Sequence, residues 1–144
     1  MDIVEFRVEA GSWADFGAAA RPVREAVFVR GQAVPPASAS DVADAAGWHA
    51  VARDPAGQPI GTGRLLPDGD IGRLAVVPDW RGKGVGRALL ETLMEVARER
   101  RTAVLQLHAQ TAAAGFYSRF GFRPEGGEFM VAGIAHILMS RQLA

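Results

Sequence analysis

Residues 74–90 read Leu-Ala-Val-Val-Pro-Asp-Trp-Arg-Gly-Lys-Gly-Val-Gly-Arg-Ala-Leu-Leu: an apolar strand, a Pro-Asp break, a basic glycine-rich loop and a helix start. The helix should continue to about Arg98, with Val85, Leu89, Leu93, Val96 and Ala97 on one face and Arg87, Glu91, Glu95 and Arg98 away from it. Ahead of it, Arg81-Gly82-Lys83-Gly84-Val85-Gly86 joins two useful properties. Glycines let the backbone turn sharply and approach a ligand closely. The first N–H groups of a helix have no partner within it, and its dipole favours an anion there. Arg81 and Lys83, the only lysine of the chain, add positive charge. Such a loop suits a phosphate or pyrophosphate. Two familiar phosphate motifs fail on residues. A Walker loop needs Ser or Thr after Gly-Lys, and here Lys83-Gly84-Val85 stands. A dinucleotide fingerprint needs G-x-G-x-x-G and an acid after the next strand, where this chain has His108-Ala109-Gln110. A plain helix-capping turn is the remaining alternative.

Upstream, Val4, Phe6 and Val8 alternate with Glu5, Arg7 and Glu9, the pattern of a half-buried strand that Gly11 should break. Ser12 can cap a helix running from Trp13 to about Val29, split or kinked at Pro22. Gly31 to Gly47 is a long connection, and such segments are often functional. Trp48–Arg53, Pro59–Leu66 and Ile71–Val77 follow as strands joined by short turns, hence an antiparallel meander. Downstream come a strand over Ala103–Ala109 and a helix from Thr111 to about Phe120 that Gly121 ends. Phe122–Val131 and Ile134–Met139 are the last strand pair. The order β-α-α-β-β-β-α-β-α-β-β predicts an α/β fold: a mixed sheet with helices on both faces. The strands flanking the long helix should be parallel.

The chain has 144 residues, 49% hydrophobic and 22% charged, which suits a single domain over 1–144. Sixteen basic residues balance sixteen acidic ones, so a diffuse field for nucleic acid is not expected. No apolar run reaches a membrane span and the start has no signal-peptide pattern, so a cytoplasmic protein is expected. Without cysteine there is no disulfide, thiolate metal site or cysteinyl intermediate. His49, His108 and His136 lie too far apart for a helical metal pair, and nothing points to a metal.

The stretch from Leu74 to Leu90 resembles the acyl-CoA signature of the GNAT superfamily of N-acetyltransferases, Q/R-x-x-G-x-G/A, with Arg81, Gly84 and Gly86 in its fixed positions. Phe116-Tyr117-Ser118-Arg119-Phe120-Gly121-Phe122 is similar to its second landmark, and the element order is similar too. Ala26-Val27-Phe28-Val29, His49, Ile71-Gly72-Arg73, Ala109-Gln110 and Gly133-Ile134-Ala135-His136 resemble the ElaA-like branch. Two departures stand out: Gly31-Gln32 replaces that branch's Glu-Gln, and Met130-Val131-Ala132 replaces its acid before the last Gly-Ile. Roles of those acids do not carry over.

The resemblance implies a GNAT-like fold and acetyl transfer from acetyl-CoA to a small-molecule or peptide amine, by direct attack in a ternary complex. It implies that Leu74, Ala75 and Val76 pair with the pantetheine arm while Arg81, Gly82, Lys83, Gly84, Val85, Gly86 and Arg87 hold the pyrophosphate. Tyr117, the only tyrosine, takes the proton-donor position; packing among Phe116, Phe120 and Phe122 is its alternative. For the base, Gln106, His108 and Gln110 share one strand face, and a polar face in a covered sheet should mark a cleft. An imidazole, with an ordinary pKa near ~6.5, suits that task. His108 reads equally as a hydrogen-bonded core histidine, and His136 and Glu128 are weaker candidates. Asp41 and Asp44 would stand near the acceptor entrance and attract a cationic amine, or form an ordinary solvated loop. A non-catalytic acyl-CoA-binding module is the alternative function, and the sequence leaves a homodimer open.

Overall fold

The computed structural model describes residues 5–32 and 42–143. Strand β1 (Arg7–Ser12) leads into α1 (Trp13–Arg24), which continues as a π-helical stretch over Glu25–Gly31. A 3-10 turn (Val42–Ala46) precedes the meander β2 (Trp48–Arg53), β3 (Pro59–Leu65) and β4 (Ile71–Val76). Then follow α2 (Val85–Glu99), β5 (Val104–Gln110), the short α3 (Ala114–Ser118), β6 (Arg123–Val131) and β7 (Ile134–Gln142). The α/β class and the expected order hold.

The mixed sheet is split in two. The described strands form an antiparallel sheet ordered β1-β2-β3-β4 and another ordered β5-β7-β6. Among the described residues, the parallel relation expected across α2 survives at one bridge, Asp70 with Gln106, where the Gln106 N–H donates to the Gly69 carbonyl at 3.1 Å. Beyond it β4 and β5 are not paired, so each presents an open edge to the gap between the sheets.

Helices do cover both faces of the first sheet, because β3 alternates what it offers. A Cβ on Gly61 or Gly63 would lie 2.9 Å from side chains of α2 or β4, so only glycine lets α2 settle on this strand. On the other face Arg64 meets Asp44, which also holds Arg24 of α1. The predicted stripe of α2 is buried at Val85, Leu89, Leu93 and Ala97, joined by Leu90 and Met94, against Leu105, Leu107, Phe122 and Met139.

Three expectations change. Gly11 lies inside β1 opposite His49, where a Cβ would meet the Phe16 ring at 2.6 Å; close packing, not a chain break, explains the glycine. Pro22 lies within α1 and neither splits nor ends it; the helical path changes from α to π only at Glu25, past the predicted position. The last helix is shorter than expected, a 3-10 turn at Thr111–Ala113 followed by α3, closed by Gly121 at φ +84°. Ser12 caps α1 as predicted, accepting from the Asp15 N–H. Val4 lies outside the described residues.

Candidate active site

The open edges of β4 and β5 enclose a cleft of about 870 Å³. It runs along Leu74, Ala75 and Val76 to Arg81 at one end and to Arg64, Asp70 and Arg73 at the other, and His136 also lines it. Val27, Phe28 and Gln32 line it from the end of the first helical segment, Tyr117 from α3 and His108 from β5.

A bulge shapes the β4 wall. Thr62 pairs with Ala75 and Arg64 with Gly72, so Arg73 and Leu74 together stand opposite Gly63. Arg73 accordingly takes φ +53°, a conformation few residues other than glycine adopt, and one that clusters at functional sites. Because β4 is the last strand of its sheet, its backbone polar groups face the gap and can pair with the amides of an extended ligand.

Past Val76 the chain turns through Pro78–Trp80 into the glycine loop. Gly82 and Gly84 adopt φ +74° and +86°, the turn for which glycine is required, and nothing lies within 4 Å of a Cβ at either. Gly84 caps α2 without a side-chain hydrogen bond, which leaves first-turn N–H groups for an anion. Arg81 donates from Nε to the Val76 carbonyl at 3.0 Å, tying the loop to the end of the cleft. Lys83 lies over Trp80 at 5.3 Å. Arg87 pairs through Nε with Glu91 at 2.7 Å on the exposed face of α2.

Tyr117 is half-buried, edge-on to Phe116 and Phe122, and faces the cleft; burial pushes its phenol up to about 12. Along β5 the predicted alternation is present: Leu105, Leu107 and Ala109 are buried, while Gln106, His108 and Gln110 point the other way. His108 is exposed, edge-on to Phe129 at 5.5 Å, and is therefore no core histidine. His136 stacks on the same Phe129 and has Nδ1 within 2.7 Å of the Ile134 carbonyl. Glu128 lies on exposed β6 and does not line the cleft.

Asp44 overturns one expectation. It is fully buried, accepting from Arg24 Nη1 at 2.9 Å and Arg64 Nη1 at 3.1 Å, and its carbonyl lies 2.9 Å from buried His49 Nε2. A carboxylate holding two guanidiniums cannot draw in an amine from solvent. Its role is to fix Arg64 at the cleft end. Asp41 lies outside the described residues.

Asp70 and Gln32 line the cleft although neither was a candidate from the sequence. Asp70 ends the turn ahead of β4 and lines the cleft where the sheets part, and burial raises its carboxyl pKa, with Asp68 adding and His108, Arg64 and Arg73 opposing. Its position directly ahead of an apolar strand was the available signal. Gln32 and Gln110 exchange hydrogen bonds of 3.3 and 3.2 Å across the cleft, a pairing of residues 78 apart that no local pattern announces.

The site is thus a cleft between splayed strands that ends at a basic, glycine-rich loop opening a helix. Comparison with known proteins gives the family. Residues 18–143 match the acetyltransferase (GNAT) domain, and the chain belongs to this family. It is similar to the uncharacterized N-acetyltransferase YjcF of Bacillus subtilis, 35% identical over 83% of this chain and 87% of that protein. In structure it resembles an acyl-CoA N-acyltransferase from Pseudomonas aeruginosa (TM-score 0.85, 27% identity, 95% of this chain and 99% of the other). It also resembles Escherichia coli ElaA (TM-score 0.85, 25% identity, 94% and 99%).

Proposed function

We propose that the chain, as a single domain, transfers an acetyl group from acetyl-CoA to a primary amine by direct attack in a ternary complex. The observation that carries this reading is one continuous path: the glycine loop at the start of α2, the open β4 edge, then Tyr117 and His108, both lining the same cleft. The thioester supplies an activated acyl group with a thiolate as leaving group. In this reading the backbone of Gly82 to Arg87 binds the pyrophosphate, and Leu74 to Val76 align the arm as an added strand. Two protons must leave the attacking nitrogen. His108 takes the one that frees the lone pair, and passes it to solvent. Tyr117 gives its proton to sulfur as the carbon–sulfur bond breaks, and the second nitrogen proton restores the phenol. The high phenol pKa keeps that proton in place at neutral pH. The setting that fits this cosubstrate is the cytoplasm.

Initial-rate measurements of thiol release with both substrates varied test the reading. Intersecting lines, dependent on added amine, are the expected outcome. Parallel lines would point to an acetylated protein intermediate, and tight acetyl-CoA binding without amine-dependent release would leave a non-catalytic binding module.

A further inference from the structure

We propose that His49 is a positioning residue for the cleft: its neutral ring anchors the turn that carries Asp44, Asp44 fixes Arg64 at the cleft end, and protonation of the ring releases that guanidinium. This adds an acid-sensitive control to the transferase reading, and only its kinetic arm rests on that reading.

His49 is fully buried on β2, opposite Arg64 of β3 and Gly11 of β1. Its Nε2 lies 2.9 Å from the Asp44 carbonyl. A carbonyl oxygen only accepts, so Nε2 carries the hydrogen and Nδ1 is a bare lone pair. That Nδ1 is buried with no hydrogen-bond partner among the described residues, and the Trp13 ring lies at 4.8 Å. Buried polar atoms are nearly always satisfied, so one that is not calls for a role beyond packing. The contacts run outward from here. The Nε2–H holds the turn Val42–Ala46 at Asp44, whose carboxylate accepts from Arg24 at 2.9 Å and from Arg64 at 3.1 Å. Arg64 lines the cleft, and a Cβ on Gly72 would find its Nη2 nearest, at 3.8 Å. A buried ring is thereby connected to a cationic donor in the cleft wall.

The charged groups facing His49 are Arg24 from α1, Asp44 from the turn and Arg64 from β3. Burial holds the imidazole below its ordinary value near ~6.5, and Arg24 and Arg64 push the same way; the Asp44 carbonyl and carboxylate oppose them. A proton on Nδ1 would set a third cation beside two guanidiniums, with no acceptor among the described residues for the new N–H. In the unfolded chain the ring has its ordinary value. Its contribution to stability is therefore present above ~6.5 and lost as pH falls toward and through the lowered folded value. Opening the turn gives Nδ1 to solvent at the least cost, and Arg64 then loses the carboxylate that pins it.

The test compares the parent with His49→Gln, whose carboxamide N–H can reach the same carbonyl but cannot titrate. Nitrogen-15 NMR of the parent near ~pH 8 should show His49 as the Nε2–H tautomer. The Arg64 Nη groups should stay distinct there, because Asp44 holds one of them, and should merge as pH falls below ~6.5; in His49→Gln they should stay distinct. Urea unfolding should lose stability between about pH 7 and 5 more steeply in the parent than in the variant. With an active amine, the ratio of parent to variant acceptor KM should rise on the acid side by up to about tenfold per pH unit, with acetyl-CoA affinity equal in both. An Nδ1–H tautomer in the parent, or Arg64 Nη groups that stay distinct there down to about pH 5, overturns the proposal even if His49→Gln does not fold. So do pH profiles of Arg64 and of stability that coincide in the two proteins. If NMR and unfolding behave as expected but no amine is acetylated, the His49 control stands and the transferase reading fails.

Discussion

Tyr117 and Asp44 show how differently single residues declare themselves. Tyr117 was legible because it is the only tyrosine and stands in a patterned aromatic stretch. Replacing it with Phe keeps the packing against Phe116 and Phe122, so turnover should fall ~10²–10⁴-fold while acetyl-CoA affinity, by calorimetry, stays at the parental value. Its pH signature follows from the raised pKa. The neutral phenol is the donor, and it persists until pH nears about 12, so no decline in turnover between pH 7 and 10 should belong to Tyr117. A decline there that disappears in Tyr117→Phe would contradict its burial. Asp44 was misread because its partners, Arg24 and Arg64, each lie 20 positions away, and charge composition cannot reveal such pairing. Asp44→Ala removes the carboxylate that two buried guanidiniums share and should destabilise the fold by about 3–5 kcal/mol, read by urea unfolding. A loss below ~1 kcal/mol would mean the network is solvated.

At the level of elements, α2 and its glycine loop were readable because apolar periodicity and glycine spacing are local properties. Gly84→Val forces a branched side chain into φ +86°, which should cost about 1–2 kcal/mol and weaken acetyl-CoA binding, by calorimetry, at least tenfold. Unchanged affinity would remove the loop from the binding site. The bulge at Arg73 and the split between β4 and β5 were not readable. Each depends on a partner strand: Gly63 for the bulge, Gln106 for the bridge. Gly61 and Gly63 carried a latent signal, two glycines alternating within a strand, whose meaning appears only once α2 is laid against them.

Over the whole molecule, the expected α/β order was right and the expected continuous sheet was not. Antiparallel pairing with β7 satisfies β5 on one side, which allows its other edge to swing away from β4 after a single bridge. That divergence creates the cleft, whose β5 lining was legible as a polar strand face while its opposite wall and shape were not. In the proposed reading, bound acetyl-CoA joins the two sheets. Acetyl-CoA at 100 times its dissociation constant should add about 2.7 kcal/mol of stability, with amide exchange slowed most along β4. Slowing confined to α2 would place the arm elsewhere. The most direct test of the central claim is mass spectrometry of an amine panel incubated with the protein and carbon-13-labelled acetyl-CoA. The account predicts the label on nitrogen of at least one amine, in amounts equal to the thiol released. Bound acetyl-CoA, unlabelled amines and no thiol release above the protein-free rate would contradict it.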